Sequence, residues 1–181
     1  FNPGALLNDA YRQARVHRPT LSNAQLVSEL AALPLAFHPG EQWEYSLATD
    51  VLGRLIEVTS GETLGRFFSR HVFEPLDMAD TAFVLNDEQD RRLATLYAGA
   101  DRADPTVPGL QRLDDVPYPG AYRTPGMREG GGGGLISSLA DTVRLLQALM
   151  PGGPTLLKAE TLADMARNHL APGLCLSLLH L

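Results

Sequence analysis

The chain has 181 residues, of which 44% are hydrophobic and 20% are charged, and its net charge is −6. This composition predicts one globular domain with a substantial core and excludes a disordered chain. The arginines are scattered and form no basic stripe, so nucleic acid is excluded as an expected partner.

Two short helices are predicted ahead of Pro34. Asn2 followed by Pro3 is a preferred helix start, because a cap residue stands directly before a proline at the first helical position. The second helix opens at Ser22, and Gln25 follows three residues later, which is the pattern of a capping box. Pro34 ends this helix, since proline lacks the backbone donor that a helix needs.

Residues 37–60 contain the most informative local pattern, FHPGEQWEYSLATDVLGRLIEVTS. A Pro-Gly turn brings Trp43 and Tyr45 to the start of an amphipathic helix that Ser46 can cap. A phenol at a helix N-terminus is well placed to be ionised, because unpaired backbone N–H groups and the helix dipole favour an anion there. Tyr45 is therefore a candidate general base. Apolar residues at helical spacing predict that most of this helix is buried: Leu47, Val51, Leu55 and Val58.

The rest of the chain is predicted to be helical with a few short strands. A short helix closed by Pro75 is expected to pack with the preceding helix as a helical hairpin. Short strands are expected over residues 82–85 and 93–98, within a region rich in loops. Two more helices are predicted over residues 138–150 and from about residue 159 to residue 168.

Five consecutive glycines at residues 130–134 form what we call the glycine run. It could be a flexible linker, a phosphate loop, or a place where the backbone closely approaches a ligand or another strand. A phosphate loop needs a lysine and a Ser or Thr directly after its last glycine, and the only lysine is Lys158. A linker is disfavoured because a well-patterned helix begins at Ser138 without a polar spacer. The pattern therefore favours close approach.

The sequence lacks the motifs of several common enzyme classes. No serine stands in a G-x-S-x-G pattern, and the five histidines form no H-x-H or H-E-x-x-H pair, so we expect no metal and no cofactor. The single cysteine, Cys175, excludes an internal disulfide and a cysteine-based zinc site. The acidic pairs at residues 87–88 and 114–115 lie in loop-like contexts, which favours solvated turns over paired-carboxylate chemistry.

A longer block of residues in the middle of the chain carries a family resemblance. Its members are Pro39-Gly40, Trp43-Glu44-Tyr45-Ser46, Leu52-Gly53, Ile56-Glu57, Ser60-Gly61, Phe67, Phe73, Pro75-Leu76, Met78 and Thr81. This block resembles the second conserved block of the bacterial serine β-lactamase and penicillin-binding-protein superfamily, and most closely its class C-like esterase branch, the family VIII carboxylesterases. The segment GGGGLISSLADTVRLLQAL is similar to the same family's glycine-rich cleft edge. The resemblance covers most of residues 31–173 and implies an α+β fold of the β-lactamase/transpeptidase type, of which this chain is a mainly helical part.

The resemblance also implies a catalytic role for one residue. The superfamily uses a Ser-x-x-Lys nucleophile, a Tyr-x-Asn or Tyr-Ser-x motif and a late Lys-Thr-Gly or His-x-Gly strand. Serine and lysine three residues apart share a helix face, and a tyrosine from a second element completes the proton relay. Tyr45 takes that tyrosine's role by resemblance.

Further residues are expected to line the substrate cleft. Leu47 stands where β-lactamases carry Asn, and an apolar side chain there favours an esterase. Gly132, Gly133 and Gly134 are expected at the cleft edge, where missing side chains would admit an acyl group or a bulky alcohol. Trp43 is expected to pack or to form part of the cleft wall.

Two of the three superfamily motifs are absent from the chain. No serine has a lysine three residues later, and no Lys-Thr-Gly or His-x-Gly follows the glycine run. We therefore expect an incomplete β-lactamase-like domain over residues 1–173 and a truncated or aberrant tail over residues 174–181. Nothing after Phe1 has the pattern of a signal peptide, and no apolar run approaches the ~20 residues of a membrane span. The sequence does not distinguish a cytoplasmic from a periplasmic location, and it does not indicate the oligomeric state.

The leading hypothesis is a fragment of a serine hydrolase that cleaves a small-molecule ester or amide through an acyl-enzyme. The chain as given is not expected to turn over, because it has a base but no nucleophile. One alternative is β-lactamase or D-alanyl-D-alanine carboxypeptidase-like activity in the parent protein. Another is a non-catalytic binding module.

Overall fold

The structure is a computed structural model that describes residues 7–101, 103–104, 106–113 and 120–170. Within these ranges the chain forms α1 (Asn8–Gln13), α2 (Asn23–Ala31), α3 (Ala48–Ser60), α4 (Leu64–Phe68), α5 (Asp87–Arg92), β1 (Leu96–Gly99), β2 (Leu110–Leu113), α6 (Leu139–Ala148) and α7 (Ala159–Met165). A short π-helical segment, Ser69–Phe73, continues α4. The predicted mainly helical character is confirmed. The predicted start at Asn2 and Pro3 and the expected tail at residues 174–181 lie outside the described residues.

Local capping residues determine where α2 begins and where α3 ends. Ser22 and Gln25 form the predicted capping box, in which the Ser22 N–H donates to the Gln25 side chain at 2.9 Å and the Gln25 N–H donates to the Ser22 hydroxyl at 3.2 Å. Helix α3 ends at Gly61, whose φ of 74° lies in the left-handed region that glycine adopts without steric cost. The Gly61 N–H donates to the Glu57 carbonyl at 3.0 Å.

The strands form in part where they were predicted. β1 and β2 pair in antiparallel fashion, with Leu96 opposite Leu113. Of the strand expected over residues 82–85, the structure contains a single bridge, in which Ala82 and Ile136 exchange two backbone hydrogen bonds of 3.0 and 2.9 Å. β2 was not predicted, because this short polar segment has no strand pattern of its own and becomes a strand by pairing with β1.

One buried apolar cluster joins the π-helical segment to the end of α6. It contains Phe73, Leu76, Met78 and Ala148, each no more than 9% exposed. Asp141, only 2% exposed, ties the same elements together. Its carboxylate accepts hydrogen bonds from the Asp80 N–H at 2.8 Å, the Thr81 hydroxyl at 2.9 Å and the Arg144 guanidinium at 2.8 Å. These three donors offset the desolvation penalty of burying a carboxylate at this depth.

The expected burial of the α3 apolar stripe is wrong. Val51, Leu52, Leu55 and Val58 are between 38% and 62% exposed. The buried residues of this helix are Asp50 and Gly53 instead, because α3 packs against α2, α4 and the glycine run through that side. Helix α6 shows the same feature, with Leu139 82% and Leu146 56% exposed. No helix of the described residues is both long enough and apolar enough to cross a membrane.

Candidate functional site

Tyr45 opens onto a pocket of about 360 Å³ beside the start of α3, and we call this cavity the Tyr45 pocket. The side chain of Tyr45 is 75% exposed, so its hydroxyl is accessible to a ligand. The pocket is lined by His17, Pro19, Tyr45, Ser46, Leu47, Thr49, Asp50, Tyr122, Arg128, Gly130, Gly132, Gly133 and Gly134. The fold thus brings together segments that are more than 100 residues apart in sequence.

Most of the predicted site residues lie in this pocket. Tyr45, Leu47 and the three glycines Gly132, Gly133 and Gly134 line it, whereas Trp43, which is 40% exposed, is not among the lining residues. Their roles in binding or catalysis stay predictions. Within the described residues, no group of three or more His, Cys, Asp or Glu side chains could hold a metal ion.

The start of α3 differs by one residue from the predicted start. The cap position is Leu47, which offers no side-chain hydrogen bond, so the expected cap at Ser46 is displaced. The Ser46 hydroxyl still accepts a hydrogen bond from the Ala48 N–H at 3.3 Å, which pairs one of the free backbone donors of the first turn. Tyr45 therefore stands directly ahead of a helix start that its neighbour partly caps.

The glycine run packs directly on the backbone of α3. A Cβ atom built on Gly131 would lie 2.1 Å from the Thr49 carbonyl oxygen, and one built on Gly53 would lie 3.2 Å from the Gly131 Cα. Because real Cβ atoms do not approach backbone atoms to 2.1 Å, only glycine fits at residue 131 in this arrangement. The predicted close approach is confirmed, and its partner is a helix rather than a strand.

A buried polar network holds the residue before the glycine run in place. The Asn23 amide donates to the Glu57 carboxylate at 2.9 Å and to the Glu129 carbonyl at 2.8 Å, and Asn23 is 3% exposed. The Glu129 carboxylate accepts a hydrogen bond of 2.7 Å from the Gly65 N–H in the first turn of α4. The network was not predicted, because its members are dispersed polar residues without a local pattern.

The Tyr45 pocket is also lined by residues that the sequence did not single out as site residues, among them His17, Tyr122 and Arg128. The Arg128 N–H donates to the Pro19 carbonyl at 2.9 Å, and its guanidinium donates to the Val16 carbonyl at 3.2 Å. Partial removal of water and the nearby Arg128 charge lower the pKa of His17 below its ordinary value. Tyr122 has a φ of 67°, which is uncommon for an aromatic residue.

Known proteins resemble most of this chain. A family model described as Beta-lactamase matches residues 1–174. The chain is 30% identical to a lovastatin esterase from Penicillium rubens over 88% of its length, and 35% identical to esterase EstB from Burkholderia gladioli over 77%. It spans 39% and 36% of those two relatives, respectively.

Solved structures show the same relationship. EstCE1, described as a hydrolase with promiscuous acyltransferase activity, aligns with 84% of the chain at a TM-score of 0.69 and 28% identity. The chain covers 43% of the length of EstCE1.

Proposed function

Because the chain belongs to the Beta-lactamase family, whose model matches residues 1–174, we propose that it is part of a serine hydrolase that cleaves esters through an acyl-enzyme. The observation that carries this proposal is the exposed Tyr45 side chain, which opens onto a pocket with Leu47 and the glycine run. The similarity to two esterases at 30% and 35% identity supports ester cleavage.

The proposed mechanism makes Tyr45 the general base. A serine hydroxyl loses its proton to the Tyr45 phenolate and attacks the ester carbonyl, and the tyrosine then returns the proton to the departing alcohol. Water subsequently hydrolyses the acyl-serine by the same relay. The nucleophile would come from a Ser-x-x-Lys motif, and none of the serines in these 181 residues has a lysine three positions later. The serine and lysine therefore belong to sequence beyond this chain in our proposal.

Leu47 favours esters over β-lactams. It lines the Tyr45 pocket and is the cap residue of α3, and its side chain cannot hydrogen-bond a substrate amide. An ester carries no N–H that would need such a partner, so an apolar residue at this place does not penalise it.

The first test uses the chain as given. We expect the purified 181-residue protein not to hydrolyse a p-nitrophenyl ester, because a base without a nucleophile and an oxyanion hole cannot form an acyl-enzyme. Hydrolysis that the Tyr45→Phe substitution abolishes would contradict this proposal.

The second test uses the longer polypeptide encoded at the same locus. We expect a Ser-x-x-Lys motif in it, and we expect Tyr45→Phe to lower kcat for p-nitrophenyl butyrate by about 10²- to 10⁴-fold, the range typical of general base removal. Tyr97→Phe is the matched control, since Tyr97 is also exposed, at 59%, but lies in β1 and is not among the residues that line the Tyr45 pocket. Unchanged kcat in the Tyr45 variant would refute its role as the base, whereas absence of both the motif and turnover would favour a binding module. Preferential turnover of nitrocefin would favour a β-lactamase.

Acyl transfer to an alcohol is a second candidate function. The similarity to EstCE1 favours it, because that protein is described as a hydrolase with promiscuous acyltransferase activity. The same acyl-enzyme would be attacked by an alcohol instead of water. Turnover of p-nitrophenyl butyrate in the presence of butanol should then yield butyl butyrate, whereas a strict hydrolase yields butyrate alone.

A further inference from the structure

Asp50 is a buried carboxylate in the wall of the Tyr45 pocket. It is the third residue of α3 and only 7% exposed, yet it is among the residues that line the cavity. The hydrogen bonds and ion pairs of the described residues include none to the Asp50 carboxylate. The other deeply buried carboxylate, Asp141, has three hydrogen-bond donors. Asp50 thus differs from Asp141 in having no such donors.

Two glycines of the glycine run make room for this carboxylate. A Cβ atom built on Gly132 would lie 2.8 Å from Asp50 Oδ2 and 2.8 Å from the Thr49 hydroxyl, and one built on Gly130 would lie 3.0 Å from Asp50 Oδ1. Any side chain at residue 132 would press on both polar groups. The carboxylate and the hydroxyl therefore lie beside a stretch of backbone that carries no side chains.

The Asp50 carboxylate keeps contact with water through the pocket, and a ligand that displaces this water without supplying a donor leaves the carboxylate unpaired, which is unfavourable. The N-terminal position in α3 offsets a part of this penalty through the helix dipole. The Arg128 guanidinium lines the same pocket, but it donates to the backbone carbonyls of Val16 and Arg18 at 3.2 and 3.3 Å. A ligand that enters the pocket with an N–H or O–H donor would supply what Asp50 lacks.

We propose that Asp50 is a specificity-determining residue that binds a hydrogen-bond donor on the substrate, preferably a protonated amine. This inference rests on the proposed function, because it assigns a substrate class to the pocket of Tyr45: esters that carry an ammonium or hydroxyl group close to the scissile bond. An ammonium group supplies both charge and N–H donors, whereas a hydroxyl group supplies the hydrogen bond alone.

Three esters of similar shape test this assignment. The affinity of each for the 181-residue chain is measured by chemical-shift titration. Methyl 4-(aminomethyl)benzoate carries the ammonium, methyl 4-(hydroxymethyl)benzoate the hydroxyl, and methyl 4-ethylbenzoate neither. We expect the ammonium ester to bind at least about tenfold more tightly than the ethyl ester, as for a charge-assisted hydrogen bond. The hydroxyl ester should fall between them.

Substitutions at Asp50 identify the group that discriminates. Asp50→Asn keeps the shape and removes the charge, and it should bring the affinities of the ammonium and ethyl esters to within about twofold. Asp50→Ser provides a second variant if the first does not fold. Asp87→Asn is the matched control, since Asp87 also lies in the first turn of a helix, α5, but is exposed and not among the residues that line the Tyr45 pocket. It should leave the preference intact.

The outcomes separate this inference from the proposed function. Equal or undetectable binding of the ammonium and ethyl esters by the unsubstituted chain would overturn the role of Asp50. A preference that survives in a folded Asp50 variant would overturn it as well. Failure of the catalytic proposal would instead appear in turnover by the longer polypeptide.

Discussion

The contact between the glycine run and α3 predicts a large difference between two Gly→Ala substitutions that stand only two residues apart. At residue 131 the new Cβ would lie 2.1 Å from the Thr49 carbonyl oxygen and 3.1 Å from the Gly53 backbone nitrogen. At residue 133 a new Cβ would have nothing within 4 Å. Both substitutions add the same methyl group, so the difference between them isolates the packing against α3.

The expected loss of stability follows from the backbone shift that the new methyl group requires. Ordinary contacts between heavy atoms lie near 3.5–4.0 Å, so the backbone at residue 131 or at Thr49 must shift by more than about 1 Å. The obstacle is helix backbone and not a flexible side chain, so we expect a loss of about 3 kcal/mol, the upper end for overpacking. Gly133→Ala should be neutral or stabilise by up to about 1 kcal/mol, because alanine restricts the unfolded chain.

Urea unfolding followed by far-ultraviolet circular dichroism measures both effects. With a slope of about 1–3 kcal/mol per molar urea, Gly131→Ala should lower the unfolding midpoint by about 1–3 M, and Gly133→Ala should leave it unchanged or raise it. A midpoint for Gly131→Ala that matches that of Gly133→Ala would refute the close packing of the glycine run on α3.

Two more predictions concern charged groups. Asp141→Asn should lower the free energy of unfolding by about 3 kcal/mol, because it disrupts a buried carboxylate with three donors. Asp77→Asn is the control, since Asp77 is 88% exposed and pairs with the same Arg144; it should cost under about 0.5 kcal/mol. Both are measured by the same urea titration. The lowered pKa of His17 means that the unfolded chain takes up a proton first as the pH falls, so the free energy of unfolding should decrease below about pH 6.5. Thermal unfolding at pH 7.5 and 5.5 should show a smaller decrease in the His17→Gln variant than in the unsubstituted chain, and an identical decrease would contradict it.

Several features of the fold and the site followed from short-range patterns. The Ser22–Gln25 capping box and the Gly61 helix stop both depend on residues within one helical turn, so the sequence specifies them directly. The family block around Tyr45 likewise placed the phenol ahead of a helix. The glycine run could be recognised as a site of close approach, because residues without side chains allow backbones to come close and because the next helix begins without a polar spacer.

Features that depend on distant partners could not be predicted in this way. The apolar stripe of α3 has the spacing of a buried face, yet what covers a face depends on which elements pack on it, and in the described residues α3 packs through Asp50 and Gly53. Helical periodicity indicates which residues share a side but not which side meets a neighbour. The start of α3 was also predicted one residue too early, because Ser46 and Leu47 are adjacent candidates for the same cap position.

The local sequence thus specified the Ser22–Gln25 capping box, the Gly61 helix stop and the place of Tyr45 ahead of α3, because these features arise from interactions over a few residues. The position of Asp50 in the pocket wall, and the Asn23 bond to Glu129 across 106 residues, arose from packing between distant segments. Such contacts have no local signature, since a polar residue looks the same in sequence whether folding leaves it in water or buries it beside a glycine backbone.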